Sequence, residues 1–422
     1  MHRVQQLTRP PRHRVLGPAM AAIVVLLASC SGGGSDPSAG SPGTTEASAA
    51  TTATPATIAE EAKPPETYTG SVEDFYKVPE PLVKGEPGQL IRVQDLGDKG
   101  ALHTVRVMYH SRDAEDRDRA VTGVVSYPTK EAPKGGWPVT SQANGTVGLA
   151  SQCAPSRRGQ AAATWGVEGV HANTDYIGLG PVGEIHPYLS GPSEGNSVID
   201  AVRAARNLPD AHAGKRWFSI GHSQGGHGAL FAGERAEDYA PELDLLGTVS
   251  LAPATELTKT YGPVDEVVAR VVGAMALYGA AAEHPEIHFE DYAGKQLLAA
   301  SKVFESGCLD QIIAAIAGIP GDTFYAHSPI TTEPAKSLLH ESQPGLVATP
   351  SPLFLAQGTA DDRVNVNRTK DFFARICKLG QVTDFLVVDG ADHGAIVGAA
   401  APKAAGWMRD RLAGKAAPSS CP

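Results

Sequence analysis

Two stretches of the chain carry the pattern Gly-x-Ser-x-Gly, which in the right setting makes a serine nucleophilic: Gly221-His222-Ser223-Gln224-Gly225 and Gly191-Pro192-Ser193-Glu194-Gly195. A serine hydroxyl attacks a carbonyl only with help. A base must take its proton, a carboxylate must orient the base, and backbone N–H groups must receive the charge that develops on oxygen. Setting separates the two copies. Trp217-Phe218-Ser219-Ile220 reads as a buried strand stopping at Gly221, and His227-Gly228-Ala229-Leu230-Phe231-Ala232 as helix. A serine on that tight strand-to-helix turn is presented at a helix N-terminus, and a β-carbon at either glycine would crowd the turn. The stretch before the other copy, Glu184-Ile185-His186-Pro187-Tyr188-Leu189, contains a proline and makes a poor central strand. Ser223 is expected to be the nucleophile, and Ser193 to cap the helix that follows it.

The partners of such a serine follow it in the order acid, then histidine. Two histidines lie beyond Pro329. His340 precedes the late strands, whereas His393 sits in Asp389-Gly390-Ala391-Asp392-His393-Gly394, directly after the last strand, where a loop points back over the strand ends. The acid is expected after the penultimate strand, in Gly358-Thr359-Ala360-Asp361-Asp362-Arg363-Val364. The Gly-x-x-Asp-x-x-Val spacing favours Asp361, with Asp362 as competitor, free to face solvent or pair with Arg363. Asp392 is read as solvated, because sequence neighbours rarely present their side chains to one another. One oxyanion donor is expected at the N–H of Gln224. The other is expected at Thr146, in the Asn144-Gly145-Thr146-Val147-Gly148 loop after an earlier strand.

The elements that position these residues are legible in the hydrophobic pattern. With order expected from about Phe75, residues 90–96, 102–109 and 121–127 alternate as antiparallel strands do, with turn residues between them. Strands are then expected at 138–143 and 167–172, a helix at 196–208, and further strands at 245–251, 352–356 and 382–388. Antiparallel strands followed by βα alternation imply an α/β fold, a mixed and mostly parallel sheet covered by helices on both faces. Residues 255–345 interrupt the alternation with apolar helical runs at 267–277 and 297–316, too long an insertion for an ordinary loop. They are read as a helical cap between two segments of core, 66–254 and 346–422.

The first 29 residues read as an export signal. Arg3, Arg9, Arg12 and Arg14 form a basic segment, Met20 to Leu27 a short apolar one, and Leu27-Ala28-Ser29-Cys30 resembles a bacterial lipobox. Cys30 is then the lipidated, membrane-anchoring N-terminus of an exported lipoprotein, the alternative being an ordinary secretory signal and a secreted protein in which Cys30 is incidental; residues 30–65, nearly devoid of large apolar side chains, are read as a tether. Losing the signal takes the net charge from −10 to −14, which disfavours nucleic acid or anionic lipid as a partner. Four cysteines remain, Cys153, Cys308, Cys377 and Cys421; an even number in an exported chain implies two disulfides, and no spacing among them resembles a metal site.

From about Gly88 onward the chain resembles the secretory lipase family of the Candida lipase A type. The likeness is carried by Gly136-Trp137-Pro138-Val139, Asn144 to Gly148 followed by Cys153-Ala154-Pro155-Ser156, and Thr174-Asp175-Tyr176-Ile177-Gly178-Leu179-Gly180. It continues through His186-Pro187-Tyr188-Leu189, Asp200 to Arg206, and Gly221 to Gly226. The resemblance implies an α/β-hydrolase fold with a helical cap, and lipase or esterase activity on a lipid or small ester without cofactor or metal. It also implies roles for Ser223, Asp361 and His393 as the triad. Many relatives begin the oxyanion loop with His-Gly; here Asn144 precedes Gly145, and asparagine is expected to keep the hydrogen bond that orders the loop. Four cysteines allow three pairings. Position and the resemblance both favour Cys153–Cys308, tying the cap to the rim of the site, and Cys377–Cys421, fastening the C-terminal tail. Two alternatives to ester hydrolysis remain open at this point: acyl transfer to an alcohol of the cell envelope, and a catalytically dead fold kept as a surface binding protein.

Overall fold

The computed structural model describes residues 64–261 and 266–422. Cys30, the export signal and nearly all of the expected tether lie outside the described residues. Ten strands form one sheet: β1 (Glu66–Thr67), β2 (Leu90–Lys99), β3 (Leu102–Arg112), β4 (Asp118–Pro128), β5 (Trp137–Ala143), β6 (Val170–Ile177), β7 (Ala213–His222), β8 (Asp244–Leu251), β9 (Leu353–Gly358) and β10 (Thr383–Val388). Their order is β1-β2-β3-β4-β6-β5-β7-β8-β9-β10. β2, β3, β4 and β6 pair antiparallel in succession, and every pair from β6 and β5 through to β10 is parallel. The expected α/β architecture is what the chain adopts.

Helix α1 (Val72–Phe75) precedes β2; α2 (Gly191–Arg206) and α3 (Gln224–Tyr239) cover one face of the sheet, and α12 (Ala395–Leu412) packs on the other. Strand β7 shows why both faces must be covered. Trp217 joins Val139, Val198, Val202 and Ala232 on the α2/α3 side, while Phe218 and Ile220 join Val249, Leu251, Phe354 and Ile396 on the α12 side. A strand with large side chains on both faces belongs to the centre of a parallel sheet.

Between the adjacent strands β8 and β9 the described residues form seven α-helices, α4 (Leu257–Tyr261), α5 (Val267–Glu283), α6 (Phe289–Tyr292), α7 (Lys295–Ala300), α8 (Val303–Ser306), α9 (Leu309–Ile316) and α10 (Ala335–Glu341), before α11 (Val366–Lys378) follows β9. This insertion leaves the sheet at the C-terminal end of β8, the end at which β7 delivers Ser223. Met275, Phe304, Ile312 and Phe324 pack with Leu149, Tyr188 and Leu189, which belong to the loops beyond β5 and β6. No helix among the described residues is long and apolar enough to cross a membrane.

Three expectations need correction. The run 297–316 is α7, α8 and α9 rather than one helix: α7 stops at Ala300, α8 starts afresh at Val303, and after Gly307 Cys308 caps a third start. The strand expected at 167–172 begins at Val170 and continues to Ile177. The helix expected from Asn196 begins at Gly191, so Ser193 lies inside its first turn and Ser190 holds the cap position. Ser193 is buried and bonds Glu283 of α5 and the N–H of Ala114 (2.9 Å), which makes it a fastening between core and insertion.

Candidate active site

Ser223 links β7 to α3 with φ +61° and ψ −122°, a conformation that side chains other than glycine's adopt only under strain. The neighbouring glycines make the turn possible. A Cβ on Gly221 would stand 1.9 Å from the carbonyl oxygen of Gly225, and one on Gly225 would stand 2.1 Å from that of Ala143 at the end of β5. Hydrogen bonds hold the strained residue from both sides: its N–H donates to the Leu251 carbonyl (2.9 Å), and its carbonyl accepts from His227 (3.2 Å) and Ala254 (3.3 Å).

The structure brings His393 and Asp361 together across the loops after β10 and β9, with Nδ1 of His393 2.8 Å from Oδ2 of Asp361. A ring nitrogen against a carboxylate donates, which leaves Nε2 as the lone-pair site of a neutral imidazole. The Asp361 side chain is fully buried. It accepts further bonds from the N–H groups of Arg363 (2.9 Å) and Val364 (2.8 Å) and from the Gln357 amide (2.9 Å). Burial raises its pKa, and the bond from His393 together with these N–H donors outweighs burial and holds it below the usual carboxylate value. Asp362 is exposed. Asp392 is exposed too, and its Oδ1 accepts the N–H groups of Gly394 (3.0 Å) and Ala395 (2.8 Å), capping the turn into α12. His340 lies in α10.

A second histidine belongs to this corner. His222 donates Nε2–H to the backbone carbonyl of His393 (2.7 Å), and the two rings stand 4.5 Å apart. Burial, reinforced by the neighbouring His393, brings its pKa down to about 4. Its place beside the serine in sequence was visible; its reach to the His393 loop depends on the spatial neighbourhood of β7 and β10-side loops, which no spacing encodes.

On the other side of Ser223, Asn144 ties its side-chain amide to the Thr174 carbonyl while its own carbonyl accepts from Tyr176 Oη (2.7 Å). Asparagine thus supplies an ordering bond to the loop. Thr146 bonds Tyr188 through their hydroxyls (2.7 Å), and the Val147 carbonyl accepts from Leu309 at the start of α9 (2.9 Å). Disulfide Cys153–Cys308 fastens the same corner, and Cys377–Cys421 joins α11 to the C-terminal tail. Gln224, the first residue of α3, is buried with its amide on the carboxylate of Glu194 (2.7 Å). In the sequence Glu194 is only a neighbour of Ser193 in the second Gly-x-Ser-x-Gly pattern, with no signal of this contact. A small cavity of about 50 Å³ lies beyond Tyr188 and Leu189, walled by Ala276, Leu277, Leu338 and Leu339 of the insertion together with Glu283 and His284; neither Ser223 nor His393 lines it. Among the described residues no group of His, Cys, Asp or Glu is arranged to hold a metal ion.

Ser223 stands at a helix N-terminus directly after His222, whose ring bonds the loop of the carboxylate-bound His393; these are residue types that acyl transfer uses. The sequence profile of the secretory lipases matches residues 167–420. The chain belongs to the secretory lipase family. As a secretory lipase it is 24% identical over 386 residues to a Mycobacterium tuberculosis protein described as a probable inactive lipase, covering 82% of this chain and 83% of that one. Its fold is similar to that of Candida antarctica lipase A in its closed state, with a TM-score of 0.71 at 17% identity over 84% of this chain and 89% of that one. It is also similar to the rice cell wall degrading esterase LipA of Xanthomonas oryzae, with a TM-score of 0.64 at 16% identity over 79% and 100% of the two chains.

Proposed function

We propose that this secretory lipase is an active serine ester hydrolase. The observation that carries the reading is the bond from His393 Nδ1 to the buried, ionised Asp361, which fixes the tautomer a general base requires. In this mechanism Ser223 Oγ attacks the ester carbonyl as His393 Nε2 takes its proton. The N–H groups of Gln224 and Thr146 receive the oxyanion, and His393 returns the proton to the departing alcohol. Water, deprotonated by His393, then attacks the acyl-enzyme and restores the serine. The apolar insertion over this end of the sheet serves as a cap, its side chains packed against the loops beyond β5 and β6.

Family membership alone does not decide between an active and an inactive chain, since the mycobacterial relative carries an inactive designation. What favours activity here is a strained serine kept at the turn together with a histidine bonded to a buried acid, features that an idle fold has no need to keep. A series of nitrophenyl esters and acylglycerols, with products resolved in water and in the presence of an alcohol acceptor, tests the reaction type. Free fatty acid as the main product in every case supports hydrolysis. Transfer to the alcohol as the main product would make the chain an acyltransferase, and no turnover of any ester would remove the proposal.

The same reading places the protein outside the cell, anchored through lipid on Cys30. Two disulfides and family membership support export. Mass measurement of mature Cys30 tests the anchor; an unmodified N-terminus, or release of the wild-type protein to the medium, would contradict it.

A further inference from the structure

Beside the nucleophile helix lies a buried polar cluster that no step of ester hydrolysis consumes. At its centre is Glu194 of α2, with 0% exposure. Its Oε1 accepts from the Gln224 amide (2.7 Å) and from the N–H of Leu189 (3.0 Å), and its Oε2 accepts from Nδ1 of His227 (2.8 Å). The Gln224 amide nitrogen also stands 2.8 Å from Nε2 of His186, whose Nδ1 donates to the Ile177 carbonyl (2.9 Å). These contacts settle the protons. The nitrogen of Gln224 must face the carboxylate, so it donates one hydrogen to Glu194 and the other to His186, which is a neutral acceptor at Nε2.

His227 differs. Nδ1 faces the Glu194 carboxylate and Nε2 faces the Ser342 carbonyl (2.8 Å), both acceptors, so the ring donates from both nitrogens and is an imidazolium. A fully buried carboxylate therefore has a fully buried counter-charge. Burial works to raise the pKa of Glu194, and the two neighbouring imidazoles, His227 first and His186 with it, override burial and hold the carboxyl below its usual value.

Two of the three donors to Glu194 lead to the oxyanion loop and helix. Gln224 is itself the residue after the nucleophile. Leu189, held at φ +60°, follows Tyr188, whose hydroxyl bonds Thr146. A single carboxylate thus fastens both positions that the proposed mechanism uses to receive charge.

We propose that Glu194, with His227 as its counter-ion, is the positioning residue of the oxyanion site: it holds Gln224 directly and Thr146 through Leu189 and Tyr188. The proposal rests on the reading of Ser223 as nucleophile. Glu194 touches neither substrate nor the reacting atoms; it sets where the two N–H groups point.

Two measurements on the full chain test this. The first compares wild type with Glu194→Ala, Gln224→Ala and the double variant on a nitrophenyl ester. Glu194→Ala should lower kcat by about 10- to 100-fold, less than the loss of a whole oxyanion donor, with KM within about threefold. The double variant should fall no further than Glu194→Ala alone, because the Gln224–Glu194 link that Gln224→Ala cuts is already among those lost in Glu194→Ala. Glu194→Gln keeps an acceptor for Gln224 and Leu189 and can donate to a neutral His227, so it should recover to within about threefold of wild type. Additive losses, a defect confined to KM or to melting temperature, or Glu194→Gln as impaired as Glu194→Ala would overturn the proposal. The second measurement needs neither turnover nor a variant. In histidine-¹⁵N-labelled wild type, His227 should show two protonated ring nitrogens and His186 a proton on Nδ1 only; a neutral His227 or a proton on His186 Nε2 would overturn it. A wild type inert to esters would count against the function of Ser223, while this spectrum would still decide the arrangement around Glu194.

Discussion

His222 and His393 face each other across the active-site corner, the ring of the first donating to the backbone carbonyl of the second over 2.7 Å. One histidine therefore fixes the loop of the other, and it does so in its neutral form, since burial holds its pKa at about 4. Replacing it should cost activity without touching the reacting atoms. His222→Phe keeps the ring and loses the bond; a hydrogen bond worth about 1 kcal/mol corresponds to a fall of about fivefold in kcat. An unchanged kcat would show that the loop holds its own position.

The same residue has a signature in stability. A histidine whose folded pKa is about 4, against an unfolded value of 6.5, leaves stability intact above pH 6.5 and takes it away as pH falls towards 4. The loss amounts to something on the order of 3 kcal/mol at full effect. Denaturant titrations of wild type and His222→Gln at pH 7 and at pH 4 should show the smaller decline in the variant. Equal declines would mean that His222 does not carry the shift.

Asp361 and Asp362 are neighbours with opposite surroundings, one fully buried on His393 and the other exposed. Asp361→Asn should reduce kcat by about 10³- to 10⁴-fold, since an amide that donates to Nδ1 favours the wrong tautomer of His393. Asp362→Asn should stay near wild type. The reverse ranking would reassign the acid.

The conformation of Ser223 predicts a trade between activity and stability. Glycine is at ease at φ +61°, so Ser223→Gly should be inactive yet more stable by about 1 kcal/mol in thermal melts. A less stable Ser223→Gly would show that the turn is not strained.

The two disulfides should fail differently. Cys153–Cys308 spans 155 residues and Cys377–Cys421 spans 44, and chain-entropy arguments give each about 4–5 kcal/mol, above the 2–4 usually measured. Cys377→Ser/Cys421→Ser should lower the melting temperature with kcat nearly unchanged. Cys153→Ser/Cys308→Ser should alter kcat as well, because Cys308 begins the helix whose Leu309 holds Val147. Matching effects on kcat would contradict the proposed link between insertion and oxyanion loop.

Much of this site could be read from sequence because its parts are local. The turn at Ser223 needs glycines at fixed offsets, and β7 announces a central strand by carrying Trp217 and Phe218 on opposite faces. His393 and Asp361 each follow a recognisable strand, so topology brought them together without further information. The misses have a different cause. Glu194, His186, His227 and His222 are joined only through folded contacts, and a buried acid at the start of a helix looks in sequence like an ordinary first-turn glutamate. The insertion was legible in size and not in detail, since periodicity over 297–316 gave no weight to the break at Gly307.

The central claim is that Ser223 is an activated nucleophile, and covalent labelling tests it most directly. Purified mature protein treated with a fluorophosphonate, digested and mapped by mass spectrometry, should carry one phosphonyl group, on Ser223. Labelling should vanish in Ser223→Ala together with ester turnover, a loss on the order of 10⁴-fold or more, and persist in Ser193→Ala. A folded protein that takes no label, or that is modified at Ser193 instead, would contradict the account.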